Sequence, residues 1–393
     1  MIDVILHGGR ERSLERRHPW VMSGAIASVR GEPAAGELVR VVSAGGVVLG
    51  SGDWSPASMI RVRLLAAGKE PLEADWLQRR VEAAIARRAA SALLRGTDAL
   101  RLVNSEGDEL PGLVVDRYAD TLVVKFSSVG MQRRREEIAP LLEGATGAAC
   151  GYERADATAA RREGFPPRQG LLWGSPPAGR IPIAEGERRY EVDVVNGQKT
   201  GFFLDQRDAR ELVQRLARGR RVLDLFSYTG GFSAAAARGG AASITAVDSS
   251  PAALELAALH VAANAAAGAP PARFEALRAD AFEYARNAAA GFDLAIVDPP
   301  PLARSKADQQ RASRAYKDVL LAVLRRAAPG ALVLAFSCSH HVGAELFRKI
   351  AFAAALDAAR SVRVLGQLTA PADHPVSLYH PEGEYLTGLL LEA

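Results

Sequence analysis

The sequence predicts an α/β protein: a Rossmann-like, doubly wound sheet at the C-terminus, preceded by a small β-barrel and an α+β middle domain. Three observations carry this expectation. From about residue 190, short apolar runs alternate with segments of helical spacing, the pattern that builds a parallel sheet with helices on both faces. Residues 1 to about 68 show instead short strands separated by Gly-rich turns. The length, 393 residues, exceeds one compact core and allows two or three domains.

Taken in order, residues 38–42, 47–50 and 59–64 are the strand candidates of the first region, with Ala44-Gly45-Gly46 as a turn. Arg10, Arg12, Arg16, Arg17 and Trp20 precede them; with Glu11 and Glu15 interleaved, they read as a solvated charged turn. Residues 72–94 carry Leu72, Trp76, Leu77, Val81, Ala84, Ile85, Ala89 and Leu93 at helical spacing, opposite an Arg-rich face, and predict a connecting helix. Strands are expected at 113–116 and 121–126, a helix at 131–143, and a looser Gly-, Pro- and Arg-rich stretch at 161–180. The predicted division is 1–70, 71–180 and 181–393. In the last part, strands are expected at 221–226, 243–247, 273–278, 293–297 and 331–336, with helices at 204–217, 232–238, 250–266, 281–289 and 308–327. Strands near 361–365 and 385–391 complete the sheet.

Composition excludes several classes. Hydrophobic residues make up 48% and charged residues 24%, which rules out wholesale disorder. Lys+Arg 49 against Asp+Glu 45 leaves +4, so nucleic-acid binding would need a local patch rather than a basic arm. The bases are 43 Arg and 6 Lys, read first as a coding bias, although the guanidinium fork suits phosphate. Two cysteines exclude a disulfide framework and a four-thiolate zinc site. The apolar start is too short for a signal peptide and no run has membrane-spanning length, so a cytoplasmic protein without a membrane partner is expected.

Doubly wound sheets bind ligands beyond the carboxyl ends of their strands, so those ends are read as a set. The first ends in Asp224-Leu225-Phe226-Ser227-Tyr228-Thr229-Gly230-Gly231, the second in Asp248, the third in Asp280, the fourth in Asp298-Pro299-Pro300, and the fifth in Ser337-Cys338-Ser339-His340-His341. Neither the dinucleotide fingerprint nor a P-loop is present. Each residue alone reads as a cap, a turn or a small hydrophobe. Together they suit an adenosine ligand without a pyrophosphate cradle, hence S-adenosylmethionine. Asp224 and the Gly230-Gly231 turn then line its methionine end, with Phe226 and Tyr228 beside them. Asp248 accepts the ribose hydroxyls and Asp280 meets the adenine amino group.

The whole set resembles the class I S-adenosylmethionine-dependent 23S rRNA (cytosine-C5) methyltransferases with an N-terminal PUA domain. The resemblance covers nearly the whole chain. It rests on His18-Pro19-Trp20-Val21, Gly50-Ser51-Gly52-Asp53, Glu109 to Tyr118, Gly197 to Arg207, Asp373-His374-Pro375 and Pro381-Glu382-Gly383. It implies a PUA-like RNA-binding domain over 1–70 and a methyltransferase domain over 181–393. It also implies 23S rRNA as partner, naked or in a precursor subunit, and leaves a homodimer open. It assigns Cys338 as the nucleophile that adds to carbon 6 of the base, and Asp298 as the acid beside that base; Cys150 is read as structural. Phe203, Asp205 and Gln206 are expected over the cofactor, Phe203 on adenine. His340 and His341 read as partly exposed residues near a helix N-terminus. The sequence departs from the family at Pro301, where a Lys usually follows Asp-Pro-Pro, although Arg304-Ser305-Lys306 follows. The alternatives are methylation of another rRNA or tRNA base, and a catalytically silent RNA-binding assembly factor.

Overall fold

The structure is a computed structural model that describes every residue except 70, 71, 178, 267, 269 and 304, so Arg304 of the motif above lies outside the described residues. The chain separates into two compact units. One holds Met1–Ile183, Val192–Leu204 and Ala372–Gly383; the other holds Ala184–Glu191, Asp205–Pro371 and Glu384–Ala393.

The first unit opens with β1 (Ile2–Leu6), α1 (Arg12–Glu15), β2 (Trp20–Met22), β3 (Ile26–Arg30), β4 (Leu38–Val42), β5 (Val48–Trp54) and β6 (Ile60–Ala67). Its strands form a six-stranded sheet in the order β2-β6-β5-β4-β1-β3. Val39 and Val41 are buried while Arg40 between them is exposed, the alternation of a strand with one face on a core. The chain continues through α2 (Trp76–Ala90), β7 (Ala99–Asn104), β8 (Leu113–Tyr118), β9 (Thr121–Phe126), α3 (Val129–Arg133), α4 (Arg135–Thr146), β10 (Cys150–Glu153), α5 (Ala157–Glu163) and β11 (Gly170–Gly174). A five-stranded sheet, β11-β10-β9-β8-β7, results. The stretch expected to be loose, 161–180, therefore contains the end of α5 and strand β11. The reason is long-range: the Glu163 carboxylate is buried and paired with Arg63, 2.9 Å away, and accepts from the Ser55 hydroxyl at 2.8 Å. The expected helix at 131–143 is two helices, α3 capped by the Ser128 hydroxyl on the Met131 N–H.

Buried ion pairs explain why the first two regions pack as one unit. Arg134 grips Asp53 with both terminal nitrogens, at 2.7 and 2.8 Å. Hydrogen bonds to the same buried charged groups hold the two late segments, which the sequence places in the C-terminal domain, within this unit. The Thr200 hydroxyl donates to Asp116 at 2.6 Å, and Asp116 is itself forked by Arg101. Asp373 accepts from the Arg101 N–H at 2.9 Å, and its carbonyl accepts from Arg88. Several motif residues that carried the family resemblance thus meet in one buried polar network.

The chain then forms the hairpin β12 (Ile181–Glu185) and β13 (Arg188–Val192). The second unit continues with α6 (Arg207–Leu216), β14 (Arg221–Leu225), α7 (Gly231–Arg238), β15 (Ser243–Asp248), α8 (Pro251–Ala263), β16 (Arg273–Arg278), α9 (Ala281–Asn287), β17 (Leu294–Val297), α10 (Gln309–Arg326), β18 (Leu332–Ser337), α11 (Ala344–Asp357), β19 (Arg363–Leu368) and β20 (Thr387–Glu392). The strand order is β16-β15-β14-β17-β18-β20-β19; the first five run parallel and β20 is antiparallel to both neighbours. Alternation sends Leu223, Leu225, Ala295, Val297, Val333 and Ala335 into one core, with α9, α10 and α11. Val222, Leu294, Ile296, Leu332 and Leu334 enter the other, with α6 and α7. A sheet buried on both faces is the doubly wound arrangement the sequence predicts. Among the described residues, no helix is long and apolar enough to cross a membrane.

Candidate active site

The strand order reverses beside β14, which makes the carboxyl ends of β14, β15, β17 and β18 the switch-point crevice. Asp224 sits one residue before the end of β14 and is buried. Its Oδ2 accepts from the Ser233 hydroxyl at 2.6 Å, while Oδ1 is buried with no hydrogen-bond partner among the described residues. Burial pushes its carboxyl up, the Ser233 bond pulls it back, and the negative charges of Asp298 and Asp248 push it up again, to about 7. These surroundings carry surplus negative charge and one unsatisfied acceptor, and suit a cationic ligand.

The sign of the pH effect follows. Between its ordinary value of 3.8 and about 7, the folded state holds a proton that the unfolded state has released, so stability falls as pH rises through that window. Asp224→Asn lacks the effect. The variant is expected to gain on the parent by up to about 4 kcal/mol between pH 4 and pH 7. Urea denaturation at several pH values checks this; a difference independent of pH contradicts it.

The loop after β14 is unusual in its backbone. Phe226 and Tyr228 have φ of +61° and +48°, positions that side chains other than glycine seldom occupy, and Gly230 follows at +70°. Asp248 holds this loop: its Oδ2 accepts from the Tyr228 N–H at 2.8 Å and its Oδ1 from Ser250 at 2.9 Å. A side chain at Gly230 would begin 2.6 Å from the Ala257 Cβ of α8, so the close approach that requires this glycine is to a helix. Gly230→Ala combines that clash with the left-handed φ and is expected to cost about 1–3 kcal/mol by urea denaturation; an unchanged midpoint contradicts the packing argument. Gly231 opens α7. The Phe226 ring meets Phe282 edge to face at 5.1 Å, an apolar wall beside the crevice.

Asp280 is exposed and caps α9, its Oδ1 accepting from the Glu283 N–H at 2.9 Å. One of its oxygens is therefore occupied in the cap role common for an aspartate at a strand end.

At the other side of β14 the predicted catalytic pair meets. The Cys338 thiol donates to Asp298 Oδ1 at 3.7 Å, and Cys338 is half-buried. Asp298 Oδ2 accepts from the Gln206 amide at 3.0 Å. Gln206, expected over the cofactor, thus orients the Asp298 carboxylate, while the Tyr385 hydroxyl donates to Asp205 at 2.7 Å. The turn after Asp298 is clamped to the end of β18: the Ser339 hydroxyl accepts from the Leu302 and Ala303 N–H groups at 3.0 and 3.2 Å, and touches the Tyr316 hydroxyl at 3.1 Å. Ser337 donates to that same hydroxyl at 3.2 Å. Sequence reasoning missed Tyr316, which lies in the middle of α10 with no local signal.

Four other residues singled out in the sequence have surroundings of their own. Phe203 belongs to the segment packed with the first unit, where the Lys199 ammonium lies 4.2 Å from its ring centre. Cys150 is buried in β10, and burial pushes its thiol up, as suits a structural residue. His340 is exposed and His341 half-buried, in the turn that precedes α11. Among the described residues, no group of three metal-ligating side chains is present.

Two family models match: an S-adenosylmethionine-dependent methyltransferase over residues 161–378 and a PUA-like domain over 4–67. The Ribosomal RNA large subunit methyltransferase I of Shewanella denitrificans is 42% identical over 99% of this chain and 98% of its own. The protein of that name from Tolumonas auensis is 41% identical over 99% of each chain. The chain belongs to the S-adenosylmethionine-dependent methyltransferase family. Among solved structures, SMU.776 complexed with SAH is 25% identical, with a TM-score of 0.84 over 100% of both chains. S-adenosylmethionine is therefore the methyl donor of this methyltransferase, and the acidic crevice fits it: a sulfonium and an ammonium supply the positive charge that Asp224 and its carboxylate neighbours lack.

Proposed function

We propose that this methyltransferase forms 5-methylcytosine in 23S ribosomal RNA through a transient bond between the Cys338 sulfur and carbon 6 of the base. The observation that carries the reading is the Gln206–Asp298–Cys338 chain of contacts at the crevice. The name shared by the relatives supports large-subunit ribosomal RNA as the substrate class.

Carbon 5 of cytosine is a weak nucleophile until carbon 6 is attacked. In the proposal Asp298 Oδ1 takes the thiol proton and Gln206 keeps the carboxyl group aimed at the base. The thiolate adds to carbon 6, and the ring electrons move towards carbon 5 and nitrogen 3, where the protonated Asp298 donates a hydrogen bond. When bound, the cofactor supplies an electrophilic methyl carbon. Loss of the carbon-5 proton to water then restores the ring double bond and expels the sulfur as a thiolate, which takes its proton back from Asp298. The Ser339 clamp holds Pro299 and Pro300 open for a planar base. Asp224 and the Gly230-Gly231 turn would hold the methionine end, with Phe226 and Tyr228 beside them. Asp248 would take the ribose hydroxyls, Asp280 the adenine amino group, and Asp205 and Gln206 would close the site.

The proposal assigns 1–70 and 71–180 to RNA grip and 181–393 to methyl transfer. The substrate is the naked rRNA or a precursor subunit in the cytoplasm, and a homodimer is compatible with it. The base must leave its stack to reach Cys338, which favours an unpaired nucleotide. Mapping 5-methylcytosine across 23S rRNA from cells with and without this protein tests the assignment. Loss of the mark at a cytosine is expected; an unchanged map overturns it.

A further inference from the structure

We propose that the turn at residues 10–17 and the loop at 376–380 form one grip for single-stranded RNA, with arginines on phosphates and Tyr379 stacked on a base. This rests on the RNA reading above and names the surface that would hold the substrate.

The first observation is a contrast in pairing. Within the same unit, Arg63, Arg88, Arg101, Arg134 and Arg135 each lie against a carboxylate. Arg10, Arg12, Arg16 and Arg17 are exposed, and among the described residues none has an ion pair. Glu11 and Glu15 are interleaved, so this stretch keeps a surplus of positive charge with no internal use for it.

The second observation is the loop beside it. His380 is buried, its ring 4.4 Å from Trp20, and its N–H donates to the Ser377 carbonyl at 2.9 Å. With that anchor inside, the loop tip turns outward: Leu378 is 97% exposed and Tyr379 is 49% exposed. An apolar tip on an anchored loop has no folding role; it presents surface.

The third observation joins the two. The Arg17 guanidinium lies 5.4 Å from the Tyr379 ring centre, with one nitrogen 3.5 Å from its hydroxyl. Arg17 reaches there from a left-handed backbone, φ +65°, held by its N–H on the Leu14 carbonyl. A strained arginine beside an exposed aromatic, next to three unpaired arginines, is the pairing that single-stranded nucleic acids use: stacking is indifferent to base identity and the charges follow the backbone. An acidic peptide would use the arginines and leave the aromatic tip idle.

The test uses the full chain, a fluorescent oligocytidylate and a transcript of large-subunit rRNA. Replacing Arg10, Arg12 and Arg16 together by Gln is expected to weaken RNA binding at least ~10-fold near 0.1 M salt and to reduce the salt slope by about 2. Tyr379→Ala is expected to weaken binding about 5- to 50-fold with the slope unchanged, and Tyr379→Phe to restore it. S-adenosylmethionine affinity and the thermal midpoint stay as in the parent, which separates these effects from misfolding. Parent-like RNA binding by both variants overturns the grip. Loss of polyglutamate binding with RNA binding intact assigns the surface to an acidic protein and overturns it too. If the parent chain binds neither RNA, the RNA reading itself fails.

Discussion

Cys338→Ala is expected to abolish methyl transfer, by at least ~1,000-fold in kcat, while S-adenosylmethionine binds as before. The half-buried sulfur donates to Asp298 and, in the proposed mechanism, makes the only covalent bond between protein and base. Removing a covalent nucleophile removes the route, not merely a contact, because carbon 5 of an unattacked cytosine does not reach the methyl carbon at a useful rate. Single-turnover methylation and calorimetric titration of the methyl donor separate the two quantities. Transfer that survives at more than about a tenth of the parent rate would assign the chemistry to another group. Cys150→Ala is the matched control, expected to leave turnover intact because that thiol is buried within β10.

The largest expected loss of stability lies at Glu185. Its carboxylate and the Arg210 guanidinium are both fully buried, joined by two hydrogen bonds, one of them at 2.9 Å, with Arg188 and Arg207 within 3.8 and 3.9 Å. Burial pushes the Glu185 carboxyl up, but Arg210, Arg207 and Arg188 hold it below the usual range. Glu185→Gln removes the buried carboxylate on which these guanidinium groups converge. A cost of about 3–5 kcal/mol is expected, since breaking a buried pair from one side strands the other charge. Arg210→Met is expected to cost a similar amount, and the double variant less than the two singles combined, because each single leaves a charge that the double removes. Urea denaturation of the three variants measures this. Additive costs would mean that the two side chains do not act as a pair. The sign of the pH effect is opposite to that at Asp224: a lowered carboxyl contributes stability above its unfolded value and loses it as pH falls.

The parallel sheet was legible because its central strands are apolar on both faces and end in a charged or polar run. Leu294–Val297 and Leu332–Ser337 are buried throughout, and such runs have few alternative folds. The acidic residues at the strand ends were legible for the same reason: Asp224, Asp248 and Asp298 interrupt hydrophobic runs where a packed core has no use for charge. What local sequence could not give were partners far along the chain. Glu163 looks like part of a solvated Arg-rich stretch until Arg63 is placed beside it. His260 is buried in α8 by an accepting bond from the Glu191 N–H at 2.8 Å and a bond to the Thr229 carbonyl at 2.7 Å, both partners remote from it in sequence. The Gln206 amide on Asp298 joins residues 92 positions apart, a partner that local sequence does not reveal. The positive φ of Phe226 and Tyr228 carries no sequence signal at all, since neither residue type favours it.

One measurement bears most directly on the central claim. The full-length protein is incubated with its methyl donor and an rRNA transcript containing 5-fluorocytidine, whose carbon-5 fluorine cannot leave as a proton does. A protein–RNA conjugate that survives denaturing electrophoresis is expected, with the crosslinked peptide carrying Cys338 and no conjugate from Cys338→Ala. Absence of the conjugate under conditions where unmodified transcript is methylated, or a conjugate that persists in Cys338→Ala, would contradict it.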